Sequence, residues 1–161
     1  MPEVICNTSP IQYLHQINLL HLLPDLYERI IIQEAVVTEI GEGRRTGVDL
    51  PDVARLPWIK VEEVRVQNLL RMVSALGPGE REVLALALEA PGALVILDDL
   101  PARRYASFLK LRLTGTLGIL LKAKHMGSIS SVAPILDKLE SLRFRLDAKT
   151  RQAVIKLSGE M

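Results

Sequence analysis

Short apolar runs that stop on a polar side chain and pass straight into helix-spaced segments constrain this chain most. Val4-Ile5-Cys6 runs into Asn7-Thr8-Ser9-Pro10, and Ala93 to Leu97 runs into Asp98-Asp99. Ile30-Ile31-Ile32 is another such run, inside a strand expected from Arg29 to Gln33. Unbroken apolar strands suit a sheet covered on both faces. Strands that alternate with helices make that sheet mostly parallel. The expected fold class is α/β, a three-layer α/β/α sandwich with a mostly parallel central sheet. A single domain is expected over residues 1–161, a length sufficient for one full core.

The remaining segments fill in this alternation. Thr8 or Ser9 can cap the first helix and Pro10 suits its first turn, with Ile11, Leu14, Ile17 and Leu20 at helical spacing. Pro24 is expected to start a short turn. A helix with Val36, Val37, Glu39 and Ile40 follows the second strand, and the stretch from Gly41 to Val48 reads as an exposed loop. Ile59 to Val64 is a further strand, placed at an edge. A helix from about Val66 to Ala75 ends at Leu-Gly-Pro-Gly, and Glu80 opens a regular helix through Val83, Leu84, Ala87 and Leu88. Pro101 begins a helix with Tyr105, Phe108 and Leu109 toward the core. Thr114-Gly115-Thr116-Leu117-Gly118 joins a short strand to a helix with Ile119, Leu120 and Ala123. From Ser130 onward two helices flank Arg143-Phe144-Arg145.

Composition excludes several functions. Aromatics make up only 4%, so the core must be aliphatic. With 20 basic and 19 acidic side chains the net charge is +1, and any nucleic-acid contact must rest on local clusters. Arg44-Arg45, Arg103-Arg104, Lys110 with Arg112, and Lys122 with Lys124 are the candidates. One cysteine, Cys6, rules out an internal disulfide and a cysteine zinc site, and it is expected to be buried. His15, His21 and His125 lack metal-ligand spacing, and no phosphate-loop or nucleophile-relay motif occurs. No signal segment opens the chain and no apolar run approaches the roughly 18 residues of a membrane span. A cytoplasmic setting is the default expectation.

Chemistry-bearing residues cluster where strands end or helices begin: Asn7, Glu39, Glu80, Asp98 and Asp99. Two carboxylates after an apolar strand are costly unless solvated, hydrogen-bonded or bound to a cation. Capping of the next helix also accounts for Asp98 or Asp99, and the helix dipole alone accounts for Glu80. Glu82 shares the turn of Glu80 and reads as solvated. Taken together, the acids suit a hard divalent ion, Mg²⁺ or Mn²⁺, which prefers oxygen ligands. Such an ion activates water and steadies the oxygens of an in-line phosphodiester displacement. Thr8, Ser9, Thr114 and Thr116 are hydroxyls at helix openings, able to orient a carboxylate, a water or a phosphate. Arg103 or Arg104, one turn past Asp99, can meet a phosphate there.

These segments together resemble the PIN domain of VapC-like toxin ribonucleases, in the branch that begins with Asp-Thr-Ser-Pro. The matching pieces are Ile5-Cys6-Asn7-Thr8-Ser9-Pro10, Val36-Val37-Thr38-Glu39 and Leu76-Gly77-Pro78-Gly79-Glu80. They continue with Ile96-Leu97-Asp98-Asp99, Arg103, and Thr114-Gly115-Thr116-Leu117-Gly118-Ile119-Leu120. The likeness runs from about Val4 to Leu157. It implies a metal-dependent ribonuclease with Glu39, Glu80 and Asp99 on the acidic positions and Asp98 as an accessory. It also implies a homodimer and a small antitoxin partner. The departure is Asn7, which stands where the family has its first aspartate. An amide keeps one oxygen for a metal but loses the charge. The other reading is therefore a degenerate PIN-like module that binds RNA or protein without cutting.

Overall fold

The computed structural model describes residues 2–64 and 78–160. Within them the three apolar runs and two mixed segments form five strands: β1 Val4–Cys6, β2 Ile30–Gln33, β3 Ile59–Glu62, β4 Leu94–Ile96 and β5 Arg112–Thr114. All pair in parallel, in the order β3-β2-β1-β4-β5. The chain steps outward from β1 through β2 to β3, then crosses to β4 and β5 on the other side. The reversal falls between β1 and β4, where Cys6 stands opposite Ile96. The backbone N–H of Asn7 extends that pairing by donating to the Ile96 carbonyl at 3.0 Å. Beyond the carboxyl ends of strands at such a reversal, α/β sheets open a crevice.

Helices α1 Thr8–Gln16, α2 Leu22–Tyr27, α3 Glu34–Arg45, α4 Pro78–Glu89, α5 Leu100–Phe108, α6 Thr116–His125, α7 Ala133–Ser141 and α8 Ala148–Leu157 complete the three-layer α/β/α sandwich. α4 lies on β1, β2 and β4 and against α3, while α6 packs with α1, α2 and α8. Every residue of β1 and β2 is buried, as expected of strands covered on both faces. The edge strand β3 is half-buried at its ends and exposed between them. The core is aliphatic, with Ile5, Ile11, Leu14, Ile32, Leu84 and Ile119 among its fully buried side chains. Each such side chain contributes about 1.5–3 kcal/mol. That outweighs the roughly 1–3 kcal/mol cost of a buried polar group left unmet, which leaves room for one or two costly polar residues in the sheet.

Three local expectations are corrected. The segment from Gly41 does not form a loop at once, because α3 runs on to Arg45. Gly43 explains the glycine there: a methyl group on it would sit 2.5 Å from Leu50 Cδ1, so the returning chain lies close against the helix. Pro24 lies inside the one-and-a-half-turn helix α2, in the first turn, where the ring removes no helical hydrogen bond. Phe108 is 82% exposed and does not face the core. The buried face of α5 is Ala102 and Ala106, four residues apart, and Phe108 falls on the opposite side. The helix expected from Val66 to Ala75 lies outside the described residues. Among the described residues no helix is long and apolar enough to cross a membrane.

One carboxylate ties the end of the described chain to the sandwich. Glu160 accepts from the Val132 N–H at 2.7 Å, the Ala133 N–H at 3.2 Å and the Ser131 hydroxyl at 2.7 Å, so it meets the open amides at the start of α7. These donors, the Val132 amide foremost, hold its carboxyl down at about 2. A carboxylate lowered from 4.5 stabilises the fold above that pH and loses the contribution as pH falls toward 2. Thermal melts of Glu160→Gln should therefore show a lower Tm than the parent at pH 7, with the gap closing between about pH 4.5 and pH 2. A gap that stays constant over that range would contradict this role.

Candidate functional site

Two groups of polar side chains flank Asn7 at the sheet's reversal. The first belongs to β4, α5 and α6. Asp98 follows β4, and its two oxygens are taken by one residue: Oδ1 accepts from the Thr116 N–H at 2.8 Å and Oδ2 from the Thr116 hydroxyl at 2.6 Å. Thr116 is fully buried and opens α6, so its amide is one of the helix's unbonded donors. Burial pushes the Asp98 carboxyl above its usual range, while both Thr116 bonds and the nearby Arg103 charge pull it back. Arg103 reaches in from α5 and donates to the Leu97 carbonyl at 2.8 Å. Its guanidinium is therefore held inside the site, whereas Arg104 is exposed.

Gly115 makes this group possible. A Cβ there would stand 2.7 Å from Asp98 Oδ1, 2.9 Å from Arg103 Nη1 and 3.2 Å from the Leu97 carbonyl oxygen. Three polar groups converge on the space a methyl would fill. Gly118 serves a similar purpose one turn on, where a Cβ would collide with the Thr114 hydroxyl. Asp99 is exposed and turns to cap α5, accepting from the Ala102 N–H at 3.1 Å. The capping alternative therefore describes its geometry in this structure.

The second group belongs to α1, α3 and α4. The Thr8 hydroxyl donates to Glu39 Oε2 at 2.5 Å, so the residue after Asn7 draws in a carboxylate from α3. Glu80 lies half-buried in the first turn of α4. Glu82, which the sequence suggested was solvated, is half-buried instead. Burial pushes its carboxyl up, Arg81 pulls it down, and the charges of Glu34 and Glu39 push it up again. It belongs to the same electrostatic neighbourhood as Glu39. Its spacing on an otherwise buried face of α4, beside Val83 and Leu84, was the available signal.

Between the groups lies Asn7 itself, 3% exposed. It precedes α1 in extended conformation but caps nothing, and among the described residues its Oδ1 is buried with no hydrogen-bond partner. Gln33, at the carboxyl end of β2, is fully buried with both amide atoms unpartnered. It ends an apolar run as Asn7 does, a signal the reading of acids alone passed over. Cys6 is buried, and burial followed by the charge of Asp98 raises its thiol well above the usual range. Ser9 lines a cleft together with Asp98, Asp99 and Thr114.

Among the described residues, no three or more His, Cys, Asp or Glu side chains stand together as a ready metal site. Glu39 and Asp99 each turn to a local donor, and Asp98 is satisfied by Thr116. The donor set is nonetheless all oxygen. The unmet Asn7 Oδ1 is a neutral oxygen of the kind a hard cation accepts beside carboxylates. The chemistry of the residues thus fits a divalent ion, with the charge supplied from either side of Asn7.

A family model, DUF3368, described as a PIN domain, matches residues 3–160. The chain belongs to the PIN-domain family, whose fold is of nuclease type. No curated protein matches the chain significantly.

The tie between Asp98 and Thr116 makes a prediction about pH. Thr116→Val removes the hydroxyl donor and should lower unfolding free energy by about 1–3 kcal/mol. A raised carboxyl favours the fold when protonated and loses that contribution as pH rises through its folded value. Raising it further should make the deficit of Thr116→Val larger at pH 8 than at pH 4. Urea unfolding at the two pH values checks this; a deficit that is larger at pH 4 would contradict it.

Proposed function

We propose that this chain is a ribonuclease of the PIN type, hydrolysing RNA phosphodiester bonds with Mg²⁺ or Mn²⁺ and impaired by Asn7. The observation that carries the proposal is the buried, unpartnered Asn7 Oδ1 between a Thr8–Glu39 pair and the Asp98–Thr116 pair at the sheet's reversal. Asn7, Glu39, Glu80 and Asp99 would hold the ion, with Asp98 assisting. A bound divalent ion supplies charge to activate water and to steady the leaving oxygen.

The remaining work falls to the chain's own residues. Thr8 orients Glu39, and Thr116 aims Asp98 and opposes the rise that burial gives its carboxyl. Arg103 offsets the negative charge that would otherwise accumulate around Asp98. Arg104, Ser9 and Thr114 are left to meet phosphate. The family likeness extends the proposal to the toxin half of a toxin–antitoxin pair, a homodimer covered by a small antitoxin, in a cytoplasmic setting.

A second reading has its own support. Asn7 in place of an acid, with Asp99 turned to cap α5, suits a PIN-like module that binds RNA or protein without cutting. Cleavage assays on single-stranded RNA with Mg²⁺, Mn²⁺ or EDTA separate the two. Asn7→Asp should cut only with the metal, and at least about tenfold faster than the parent, since a tenfold rate corresponds to roughly 1.4 kcal/mol of barrier. If neither chain cuts, and Glu80→Ala leaves RNA binding unchanged, the binding module is the correct account.

A further inference from the structure

A cleft of about 760 Å³ opens beside the acidic group, lined by Asp98 and Asp99, by Arg143 and Arg145, and by the rings of Tyr13 and Phe144. Its charges are unequally satisfied. Asp98 is met by Thr116, Asp99 by the Ala102 N–H, and Asp147 by the Thr150 N–H at 2.7 Å. Arg143 and Arg145 are both exposed, and among the described residues neither guanidinium has an ion-pair or hydrogen-bond partner. Nearby Arg151 shows the contrast, bound at 2.7 Å to both Asp137 and Glu140. The cleft therefore presents two guanidiniums without a local partner, while each of its carboxylates already accepts a hydrogen bond.

The segment that carries these arginines is held at both ends. The Arg143 N–H donates to the Glu140 carbonyl and the Phe144 N–H to the Leu139 carbonyl, both at 3.0 Å, closing α7. Asp147 caps α8. Phe144 is packed on Tyr13 edge to face, with ring centroids 4.9 Å apart at 89°. Both rings border the cleft, so an aromatic surface lies next to the two cations. Guanidiniums for phosphates beside aromatic faces for bases are how proteins hold unpaired nucleic acid. A duplex, whose bases are already stacked, keeps the phosphate contacts but gains nothing from the aromatic faces.

We propose that this cleft is the binding track for single-stranded RNA, with Arg143 and Arg145 on backbone phosphates and Phe144 with Tyr13 as the base platform. The track leads a strand past Asp98 and Asp99 to the sheet's reversal. This inference rests on the ribonuclease reading and names where its substrate lies.

Fluorescence anisotropy with a labelled eight-nucleotide single-stranded RNA in EDTA tests it apart from cleavage. Arg143→Gln/Arg145→Gln should weaken binding at least about tenfold. Each phosphate contact on a single strand contributes a slope of about 0.7 in log affinity against log salt, so the double variant should lose about 1.4 of that slope. Arg143→Lys/Arg145→Lys should keep most of both, which excludes a merely folding-related loss. Phe144→Leu should weaken binding with the slope unchanged. Arg29→Gln, just before β2 at the opposite edge of the sheet, should match the parent. Unlabelled duplex RNA should compete poorly.

Parent-like binding by the double glutamine variant, or a loss with unchanged salt slope, would overturn the track while leaving the nuclease reading in place. Competition by duplex equal to that by single strand would overturn the base platform. A parent chain that binds no single-stranded RNA at low salt would overturn the ribonuclease reading itself and leave the cleft to a protein partner.

Discussion

Asp98 and Thr116 hold the functional end of this molecule together. A carboxylate buried at the end of an apolar strand is unfavourable by itself. Here both of its oxygens are met by one threonine, through its amide and its hydroxyl, at the opening of a helix. The contact fixes the start of α6 over the end of β4, and it requires Gly115 to leave the space empty. Arg103 comes into the same space and bonds to the Leu97 carbonyl. A single buried charge thus sets the position of one helix start, one glycine and one arginine.

The other half of the edge follows a similar rule with weaker means. Thr8 draws Glu39 toward β1, as Thr116 draws Asp98, so hydroxyls at two helix openings orient acids from two distant segments. Asn7 lies between them and receives nothing among the described residues. An aspartate at that point would add a third negative charge beside Glu39 and Asp98, and the repulsion would favour a counterion. The amide removes that demand. It leaves a buried neutral oxygen with no partner among the described residues, which is the physical basis for proposing a weakened metal site.

The inner strands β1, β2 and β4 were legible because each is a continuous apolar run leading to a polar residue, whereas β3 and β5 mix charged and apolar residues and carry a weaker signal. The hydroxyls were legible as helix-opening residues because Thr8 and Thr116 fall at strand-to-helix turns, but the carboxylates they meet come from distant segments that only the fold brings near. Arg103 was less legible, since whether a guanidinium on α5 turns to solvent or inward depends on the gap over Gly115, and only three-dimensional packing reveals it. Phe108 misled because hydrophobicity alone placed it in the core, whereas the small residues Ala102 and Ala106 decide which face of α5 is buried. Gln33 was passed over and Glu82 read as solvated because burial, not residue type, makes them unusual. The end of α3 was hidden by its glycines, of which Gly43 allows the close approach of Leu50.

The central claim is that a divalent ion is held at the reversal between β1 and β4, with Asn7 Oδ1 among its ligands. A crystal structure of the chain with Mn²⁺, read by anomalous scattering, tests that most directly. The account predicts a peak within coordination distance of Asn7 Oδ1 and of at least one carboxylate from Glu39, Glu80 or Asp99. Manganese bound elsewhere, with Asn7 Oδ1 met only by water, would contradict it.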